Sequence, residues 1–368
     1  MQIFEKKLTL QQDSLNALHT FLQDDGAHFC FFDIETTGLS PKVSSLYLIG
    51  ALWCDGGAVH TKQWFADDYI SEQDLLAAFT AFLSGFTTLV HYNGSGFDIP
   101  YIEKKCREWE LPSPFENIKS LDLYREIRKL KSLLDTRDLK LSTIENLAGF
   151  MRKDTLTGKD CIQVYSNFMQ KKYFRDNTME LERQKLLLHN IEDIIGTYSC
   201  ARLLAYRCRA SFSCLEEAEG FVHASFTCPC TFPFPAKHRI PLDNKTPSSP
   251  SYLISYENNH IQLDIPLNRG VLLHFYKNYK DYVYLPNEDT AIHKSVGMYV
   301  DKQFRKPARA SNCYTKKEGL FLPLPPGLDY ENDILFRTDY KSRQHYILWD
   351  DKAKQNPSRM EDLLYNLT

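Results

Sequence analysis

The order of apolar patterns in the first half of the chain constrains its fold more than any other feature. A short apolar and aromatic run, His28 to Phe32, breaks at Asp33 and is typical of a buried strand. Further strand-like runs cover residues 46–54, 59–65, 87–92 and 118–123, and helical patterns cover residues 10–22, 71–83, 98–109 and most of 124–209. Asp55-Gly56-Gly57 suits a hairpin turn between the first two of these runs. This succession predicts an α/β layered fold rather than a helical bundle or a β-sandwich.

The second half of the chain has a different pattern. Residues 226–251 are rich in Pro, Ser and polar residues, which indicates a linker or loop. Short alternating or aromatic stretches follow at residues 252–256, 261–265, 271–276, 282–285 and 346–349. We therefore expect one domain over residues 1–210, with residues 1–25 as an N-terminal helical arm, and a smaller, mainly β or α+β accessory domain over residues 211–368.

Composition narrows the class of protein. The chain has 368 residues, long enough for two domains, and its 44 basic and 47 acidic residues give a net charge of -3. The total charge thus gives no support for a nucleic-acid binder, and any polyanionic partner must be held by local patches or metal ions. The longest uncharged apolar stretch, Leu46 to Cys54, is far below the ~20 residues of a membrane span, so no membrane association is expected.

Cysteine usage bears on the compartment. Ten cysteines are scattered through the chain and no signal-peptide pattern precedes them, which predicts free thiols and a cytoplasmic location. Cys228 and Cys230 form a CxC pair. The pair is compatible with half of a metal site and also with a plain loop or buried thiols.

Two carboxylates come where the first strand pattern breaks. Residues two apart in a strand point to the same side, so Asp33 and Glu35 would present their carboxylates to one spot. Such close carboxylates repel each other unless cations separate them, and hard oxygen ligands favour Mg²⁺ or Mn²⁺. Thr36, Thr37 and Gly38 add hydroxyls and open backbone where a sugar-phosphate could approach. A strand ending in a polar turn is the structural alternative, and a haloacid-dehalogenase-type phosphotransferase would need aspartate in place of Glu35.

Two more motifs place polar residues near the same predicted edge. Asn93-Gly94-Ser95-Gly96-Phe97-Asp98 follows a strand pattern, so that Asp98 would begin the next helix at the carboxyl edge of the sheet. The structural alternative has Asn93 satisfying the turn and Asp98 capping the helix. His189 and Asp193 lie four residues apart in a helical pattern and share a helix face, which is also compatible with a surface hydrogen bond.

The ordered set of DxE, NxxxFD and helical HxxxD resembles the DEDD superfamily of exonucleases on the ribonuclease-H-like fold, over roughly residues 25–208. Within that region, Asp122-Leu123-Tyr124, residues 138–145, Arg152-Lys153-Asp154 and Gly158 are similar to the YprB-like group of predicted exonucleases. The resemblance implies a mixed five-stranded sheet flanked by helices.

The resemblance also implies functional residues. It assigns Asp33, Glu35, Asp98 and Asp193 as carboxylates that hold two Mg²⁺ or Mn²⁺ ions. The residues that would contact the terminal nucleotide are Thr36, Thr37, Gly38 and Leu39, with Leu39 wedging against its base. Asn93 and Phe97 would shape the site. The implied activity is 3′-to-5′ exonuclease hydrolysis of phosphodiester bonds at a single-stranded 3′ end of DNA or RNA.

The third motif departs from the family pattern. Members with histidine usually place it five residues before the last aspartate, whereas His189 lies four residues before Asp193. His189 is therefore either the general base or a hydrogen-bonding neighbour of the scissile phosphate. An imidazole suits base chemistry near neutral pH, which favours the first role.

Two local clusters of basic residues stand out against the balanced total charge. Either cluster suits nucleic-acid contact, and solvated surface is the simpler explanation of both. They consist of Lys302, Arg305, Lys306, Arg309, Lys316 and Lys317, interleaved with Phe304 and Tyr314, and of Arg125, Arg128, Lys129 and Lys131. The competing functions are a non-catalytic nucleic-acid-binding or scaffold protein on the same fold and a small-molecule phosphoesterase.

Overall fold

The structure, a computed structural model, describes residues 1–242, 250–328 and 333–368. It divides into an N-terminal unit, Met1–Cys208 with Cys230–Pro233, and a C-terminal unit, Arg209–Pro229 with Phe234–Thr368. Among the helices of the described ranges, none combines the length and the apolar character that a bilayer crossing demands.

The N-terminal unit is built on a mixed sheet of six strands. They are β1 (Gln2–Leu8), β2 (Phe29–Thr36), β3 (Leu46–Asp55), β4 (Ala58–Phe65), β5 (Thr88–His91) and β6 (Lys119–Asp122). Their order in the sheet is β1-β4-β3-β2-β5-β6. The pairs from β1 to β2 are antiparallel, whereas β5 is parallel to both β2 and β6. This is an α/β fold with β2 inside the sheet.

Eight helices accompany this sheet in the N-terminal unit. They are α1 (Asp13–Leu22), α2 (Glu72–Leu83), α3 (Asp98–Glu108), α4 (Leu123–Lys129), α5 (Lys131–Leu134), α6 (Leu141–Leu147), α7 (Gly158–Tyr173) and α8 (Met179–Cys200), which continues as a 3₁₀-helix over Ala201–Arg207. The predicted strands and helices between residues 10 and 123 are confirmed, and β2 extends further than expected, through Thr36. Asp33 and Glu35 therefore lie within a strand rather than after it.

The strand β1 corrects the prediction of a helical arm over residues 1–25 and of a five-stranded sheet. The arm is helical only in α1, while β1 pairs with β4 along its whole length. Phe4 packs partly buried against the core, whereas Glu5, Lys6 and Lys7 are exposed. Consecutive charged residues cannot form the apolar face of a buried helix, but they suit an edge strand, where they also discourage pairing with other chains.

The C-terminal unit contains antiparallel sheets and short helices. Its elements are β7 (Ser211–Ala218), β8 (Phe221–Thr227), β9 (Ala236–Pro241), β10 (Ser251–Glu257), β11 (His260–Pro266), β12 (Asn268–Phe275), β13 (Tyr282–Leu285), β14 (Thr290–His293), α9 (Lys294–Gly297), β15 (Lys306–Pro307), β16 (Tyr314–Leu324), β17 (Leu335–Phe336), β18 (His345–Leu348), α10 (Asp351–Lys354) and α11 (Pro357–Leu367). The sheet orders are β7-β8-β11-β10-β9, β12-β16-β18-β17 and β14-β13-β15. This matches the expected class of a mainly β or α+β accessory region.

The interpretation of residues 226–251 as a linker or loop is wrong in part. The strand β8 ends at Thr227, and β9 lies inside the segment and pairs with β10. Side chains of β9 alternate between more buried and exposed positions, which is the period of a strand, and its proline stands at the last position, where a ladder tolerates it. Residues 243–249 of the predicted linker lie outside the described residues.

Seven cysteines have free thiols: Cys30, Cys54, Cys106, Cys161, Cys200, Cys214 and Cys313. Among the described residues, neither Cys228 nor Cys230 belongs to a cluster of three side chains able to hold a metal ion. Within the N-terminal unit, the Cys230 thiol instead lies 3.9 Å from that of Cys208.

Helix α8 approaches the sheet closely at Gly50 of β3. A β-carbon at Gly50 would lie 2.1 Å from Oδ1 of Asn190 and 2.3 Å from Cδ1 of Ile194, both on α8. No side chain fits there without moving the helix, so glycine sets the distance between α8 and the sheet.

We expect Gly50→Ala to lower the free energy of unfolding by about 1–3 kcal/mol, because overpacking displaces α8. Chemical denaturation followed by circular dichroism measures the loss. Gly85→Ala is the matched control, since its new β-carbon would meet only the Phe82 carbonyl oxygen, at 3.8 Å. Equal stability of Gly50→Ala and the control would contradict this account of the packing.

Candidate active site

Two carboxylates project from β2 toward α8. Asp33 and Glu35 are two residues apart on this strand, and Asp33 lies opposite Gly50 in the ladder with β3. The space at Gly50 admits Asn190 of α8, whose Nδ2 donates to Oδ2 of Asp33 at 3.0 Å. Gln63 Nε2 in turn donates to Oδ1 of Asn190 at 2.8 Å, which fixes the orientation of the amide. A chain of neutral donors thus holds Asp33 in place.

A third carboxylate joins these two from α8. Oxygen atoms of Asp33, Glu35 and Asp193 all lie within 4.8 Å of one another. Three hard oxygen donors at this separation form a group able to hold a divalent cation, and their chemistry suits Mg²⁺ or Mn²⁺. A second possible cluster joins Glu35 with Cys161 and His189. Burial raises the pKa of the Cys161 thiol, so this sulfur stays protonated and is a poor ligand for such ions.

Asp98 lines the same cleft and follows β5, the strand that is parallel to β2. The four predicted carboxylates and His189 all line a cleft of about 550 Å³. Asp98 is the first residue of α3 and follows the turn after β5. In that turn Gly94 N–H donates to Nδ1 of His91 at 3.0 Å, and a β-carbon at Gly94 would lie 2.9 Å from the His91 ring. Glycine is required there by close packing.

Asn93 shapes the turn through its backbone. Its φ of 62° is left-handed, a conformation that asparagine tolerates better than most residues. Its N–H donates to Oδ1 of Asp122 at the end of β6, at 2.9 Å. Turn geometry therefore explains the asparagine and the glycine of the motif. Asp98 is the residue of the motif whose carboxylate lines the cleft.

Burial and crowding make Asp33, Glu35 and Asp98 hard to ionise. Burial raises the pKa of Glu35 to about 8, with His189 opposing the rise and the charges of Asp193 and Asp98 adding to it. Burial also raises the pKa of Asp98 to about 7, against backbone hydrogen bonds and with the charge of Asp193 adding. For Asp33, burial and then the neighbouring carboxylates raise the pKa well above its usual range. Such a group favours a bound cation, which would remove the repulsion.

His189 lies in the wall of the cleft and is buried. Its Nδ1 lies 2.5 Å from Oδ2 of Asp154, while Nε2 lies 3.4 Å from Oε1 of Glu35 and 3.5 Å from Oδ2 of Asp193. Burial lowers the pKa of His189, but the charges of Asp193 and Glu35 and the hydrogen bond that His189 donates to Asp154 outweigh it and raise the pKa above its usual value. Geometry thus places one ring nitrogen toward the carboxylates and the other toward Asp154.

Arg152 binds the carboxylate of Asp193. Its Nη2 donates to Oδ1 of Asp193 at 2.7 Å, and its Nε and Nη2 donate to the fully buried Glu145 at 2.5 and 2.7 Å. This ion-pair chain orients Asp193 from outside the cleft. Sequence reasoning assigned no site role to Arg152 or Asp154, although both stand in a stretch that contributes to the family resemblance.

The residues expected to contact a nucleotide lie mostly on this cleft. Those on it are Thr36, Gly38, Leu39, Asn93 and Phe97. Leu39 is 83% exposed, while the Thr36 hydroxyl donates to the Gly38 carbonyl at 2.9 Å. Thr37 lies off the cleft, because its backbone and its hydroxyl both pair with Ser45. Sequence reasoning did not anticipate the lining residues Ile34, Tyr92, Gly158, Lys159 and Ile162.

The two basic clusters are partly paired within their own units. Lys316 forms an ion pair with Asp289, and Arg305 donates to the Gly297 carbonyl at 2.6 Å. In the other cluster, Lys129 pairs with Glu126 at 2.7 Å. The cluster at residues 125–131, which belongs to the N-terminal unit, contributes no residue to the lining of the carboxylate cleft.

One family model matches the N-terminal unit. Residues 30–205 match the model of the RNase_H superfamily. The comparison with curated proteins gives no match. Among solved structures, Escherichia coli exonuclease I with a dT13 oligonucleotide has a TM-score of 0.32 and 16% identity over 48% of this chain and 41% of that chain. The family B DNA polymerase of Pyrobaculum calidifontis has a TM-score of 0.40 and 12% identity over 92% and 46%.

The present chain thus spans less than half the length of these solved proteins. The superfamily match and the mixed sheet agree that the N-terminal unit has a ribonuclease-H-like α/β fold with further antiparallel sheets after it.

Proposed function

We propose that this chain is a metal-dependent 3′-to-5′ exonuclease that hydrolyses phosphodiester bonds of DNA or RNA. The observation that carries the proposal is the convergence of Asp33, Glu35 and Asp193 oxygens within 4.8 Å, with Asp98 on the same cleft. The match of residues 30–205 to the RNase_H superfamily supports it. The 3′ end and the DEDD assignment rest on the resemblance of the three motifs, within which the YprB-like group remains our preferred placement.

The donor set fits two divalent ions held by Asp33, Glu35, Asp98 and Asp193. When bound, such ions supply positive charge that offsets the charge developing on the phosphate. In the proposed reaction, Nε2 of His189 accepts the proton of the attacking water. Asn190 and Arg152 keep Asp33 and Asp193 oriented throughout.

The rim of the cleft suits the end of a single strand. The exposed Leu39 offers an apolar surface for the terminal base, and Phe97 and Tyr92 line the same cleft. Lys159 also lines it and supplies a positive charge for a phosphate. We assign the catalytic role to residues 1–210 and an accessory role to residues 211–368. We place the protein in the cytoplasm because its ten cysteines are scattered through a long chain.

End-labelled single strands of DNA and RNA of equal sequence test the function, polarity and sugar preference together. With Mg²⁺ or Mn²⁺ we expect a ladder shortening from the 3′ end and release of 5′-monophosphates. Asp98→Asn should slow degradation by a factor on the order of 100 or more, because it removes a charge from the ion site. Asp25→Asn, an exposed aspartate of the same unit, should leave the rate unchanged.

Intact strands with both ions would contradict the exonuclease proposal. Binding of the strand without degradation would favour the non-catalytic reading. Cleavage of a mononucleotide ester with oligonucleotides untouched would favour the phosphoesterase instead.

The raised carboxyl pKa values predict how stability depends on pH and metal. In chelator, the folded state holds protons on Glu35 and Asp98 up to about pH 8 and 7, whereas the unfolded chain releases them near its ordinary values of 4.5 and 3.8. Folding therefore loses stability as pH rises through this window. We expect the melting temperature in chelator to fall between about pH 5 and 8, and Mg²⁺ or Mn²⁺ to raise it most at the upper end.

Differential scanning fluorimetry measures this effect. In Asp98→Asn both the pH dependence and the metal shift should shrink, while Asp25→Asn should behave as the parent does. If divalent ions left the melting temperature unchanged at alkaline pH, that result would contradict the proposed ion site.

A further inference from the structure

We propose that Asp154 is a positioning residue that fixes the tautomer and the ring orientation of His189, so that Nδ1 donates to Asp154 and Nε2 faces the carboxylates. The consequence for catalysis rests on the proposed nuclease function, whereas the pairing itself does not. Arg152-Lys153-Asp154 is a part of the resemblance to which no role was assigned, and the structure places it against α8.

The contact between Asp154 and His189 is short and enclosed. Oδ2 of Asp154 lies 2.5 Å from Nδ1 of His189, and the residues are 8% and 5% exposed. A carboxylate can only accept, so Nδ1 must carry the proton. In a neutral ring the other nitrogen, Nε2, then has a free lone pair. Hydrogen-bond partners of one ring nitrogen commonly set the state of the other in this way.

The other ring nitrogen, Nε2, faces the cleft and lies beyond close hydrogen-bond distance of the carboxylates. Its distances of 3.4 Å to Glu35 and 3.5 Å to Asp193 exceed the 2.7–3.2 Å range of ordinary hydrogen bonds. A water molecule beside these carboxylates would lie within reach of Nε2. In the neutral ring, Nε2 is therefore open to accept a proton from such a water molecule.

The segment that carries Asp154 is itself tied to α8. The N–H groups of Lys153 and Asp154 both donate to Oε2 of Glu192, at 2.9 and 2.7 Å, and Glu192 is buried. Arg152 holds Asp193 one residue further along the helix. Contacts at positions 189, 192 and 193 fall on one helix face, so the segment 152–154 fixes the histidine and the aspartate together.

This pairing also accounts for the four-residue spacing of the third motif. His189 and Asp193 point from the same face of a regular helix, and α8 runs unbroken from Met179 to Cys200. The ring rotation of a helical histidine is not set by its backbone alone, so a fixed acceptor on a neighbouring segment is needed to aim it. Asp154 provides that acceptor from 35 residues away in sequence.

The isosteric change Asp154→Asn should invert the tautomer. Oδ1 of Asp154 accepts the Leu156 N–H at 3.2 Å, and an asparagine that keeps this bond turns its NH₂ group toward Nδ1. A donor there drives the proton from Nδ1 to Nε2, which can then no longer accept one. The shape of the site is otherwise preserved.

Nitrogen NMR of the full chain with ¹⁵N-labelled histidine, in chelator and at alkaline pH, reads the tautomer without any activity. The His189 signal is assigned by its absence in His189→Ala. We expect protonated Nδ1 in the parent and protonated Nε2 in Asp154→Asn. Asp135→Asn, an exposed residue with left-handed φ that asparagine adopts readily, is the control and should leave the signal unchanged.

Kinetics then separate positioning from general structure. Asp154→Asn should lower kcat by a factor on the order of 100 to 10,000 with little change in KM. In the His189→Ala background the same substitution should cost almost nothing further, because its effect passes through the ring.

An unchanged tautomer in Asp154→Asn, or an equal additional loss of kcat in the His189→Ala background, would overturn the proposal. A tautomer switch in a protein that degrades no nucleic acid would leave the pairing standing and overturn the nuclease function instead.

Discussion

Repulsion among carboxylates crowded into one cleft is the constraint on which the rest of the structure depends. Asp33, Glu35 and Asp193 bring oxygens within 4.8 Å, and Asp98 lines the same space. In a low-dielectric cleft this arrangement is unfavourable unless cations or hydrogen-bond donors compensate it. The neighbours act accordingly, because Asn190 and Arg152 donate to individual carboxylates. Under the proposed function, divalent ions would compensate the charge on the face toward the cleft.

One helix carries much of the site. Helix α8 carries His189, Asn190 and Asp193, and its distance from the sheet is set at Gly50, where no side chain fits. At its far side, Gly196 leaves room for the carboxylate of Glu145, because a β-carbon there would lie 2.2 Å from that oxygen. Two glycines thus allow the buried polar groups to meet, and a packing change in either is expected to reach the site.

Much of this architecture could be predicted from local sequence patterns. Apolar and aromatic runs gave β3 to β6 to within one residue at each end but only the first half of β2, and the Gly-rich turn placed Asp98 at the start of α3. The carboxylates were found because their spacing follows strand and helix periodicity. The edge strand β1 was missed because consecutive charges hide its alternation, and β9 because it lies in a stretch rich in proline and serine.

The supporting residues were beyond such reasoning. Arg152 and Asp154 lie in a segment without helical or strand periodicity, and their partners are 41 and 35 residues away. Only the tertiary structure brings these charges together. Likewise, the Ser45 pairing that draws Thr37 off the cleft depends on how the loop after β2 closes.

The central claim is that these carboxylates form a divalent-cation site, and anomalous diffraction from crystals soaked in Mn²⁺ tests it most directly. The account predicts Mn²⁺ peaks between Asp33, Glu35, Asp98 and Asp193, absent from crystals of Asp33→Asn. A cleft without an anomalous peak in the parent protein, at Mn²⁺ concentrations that saturate known two-ion sites, would contradict it.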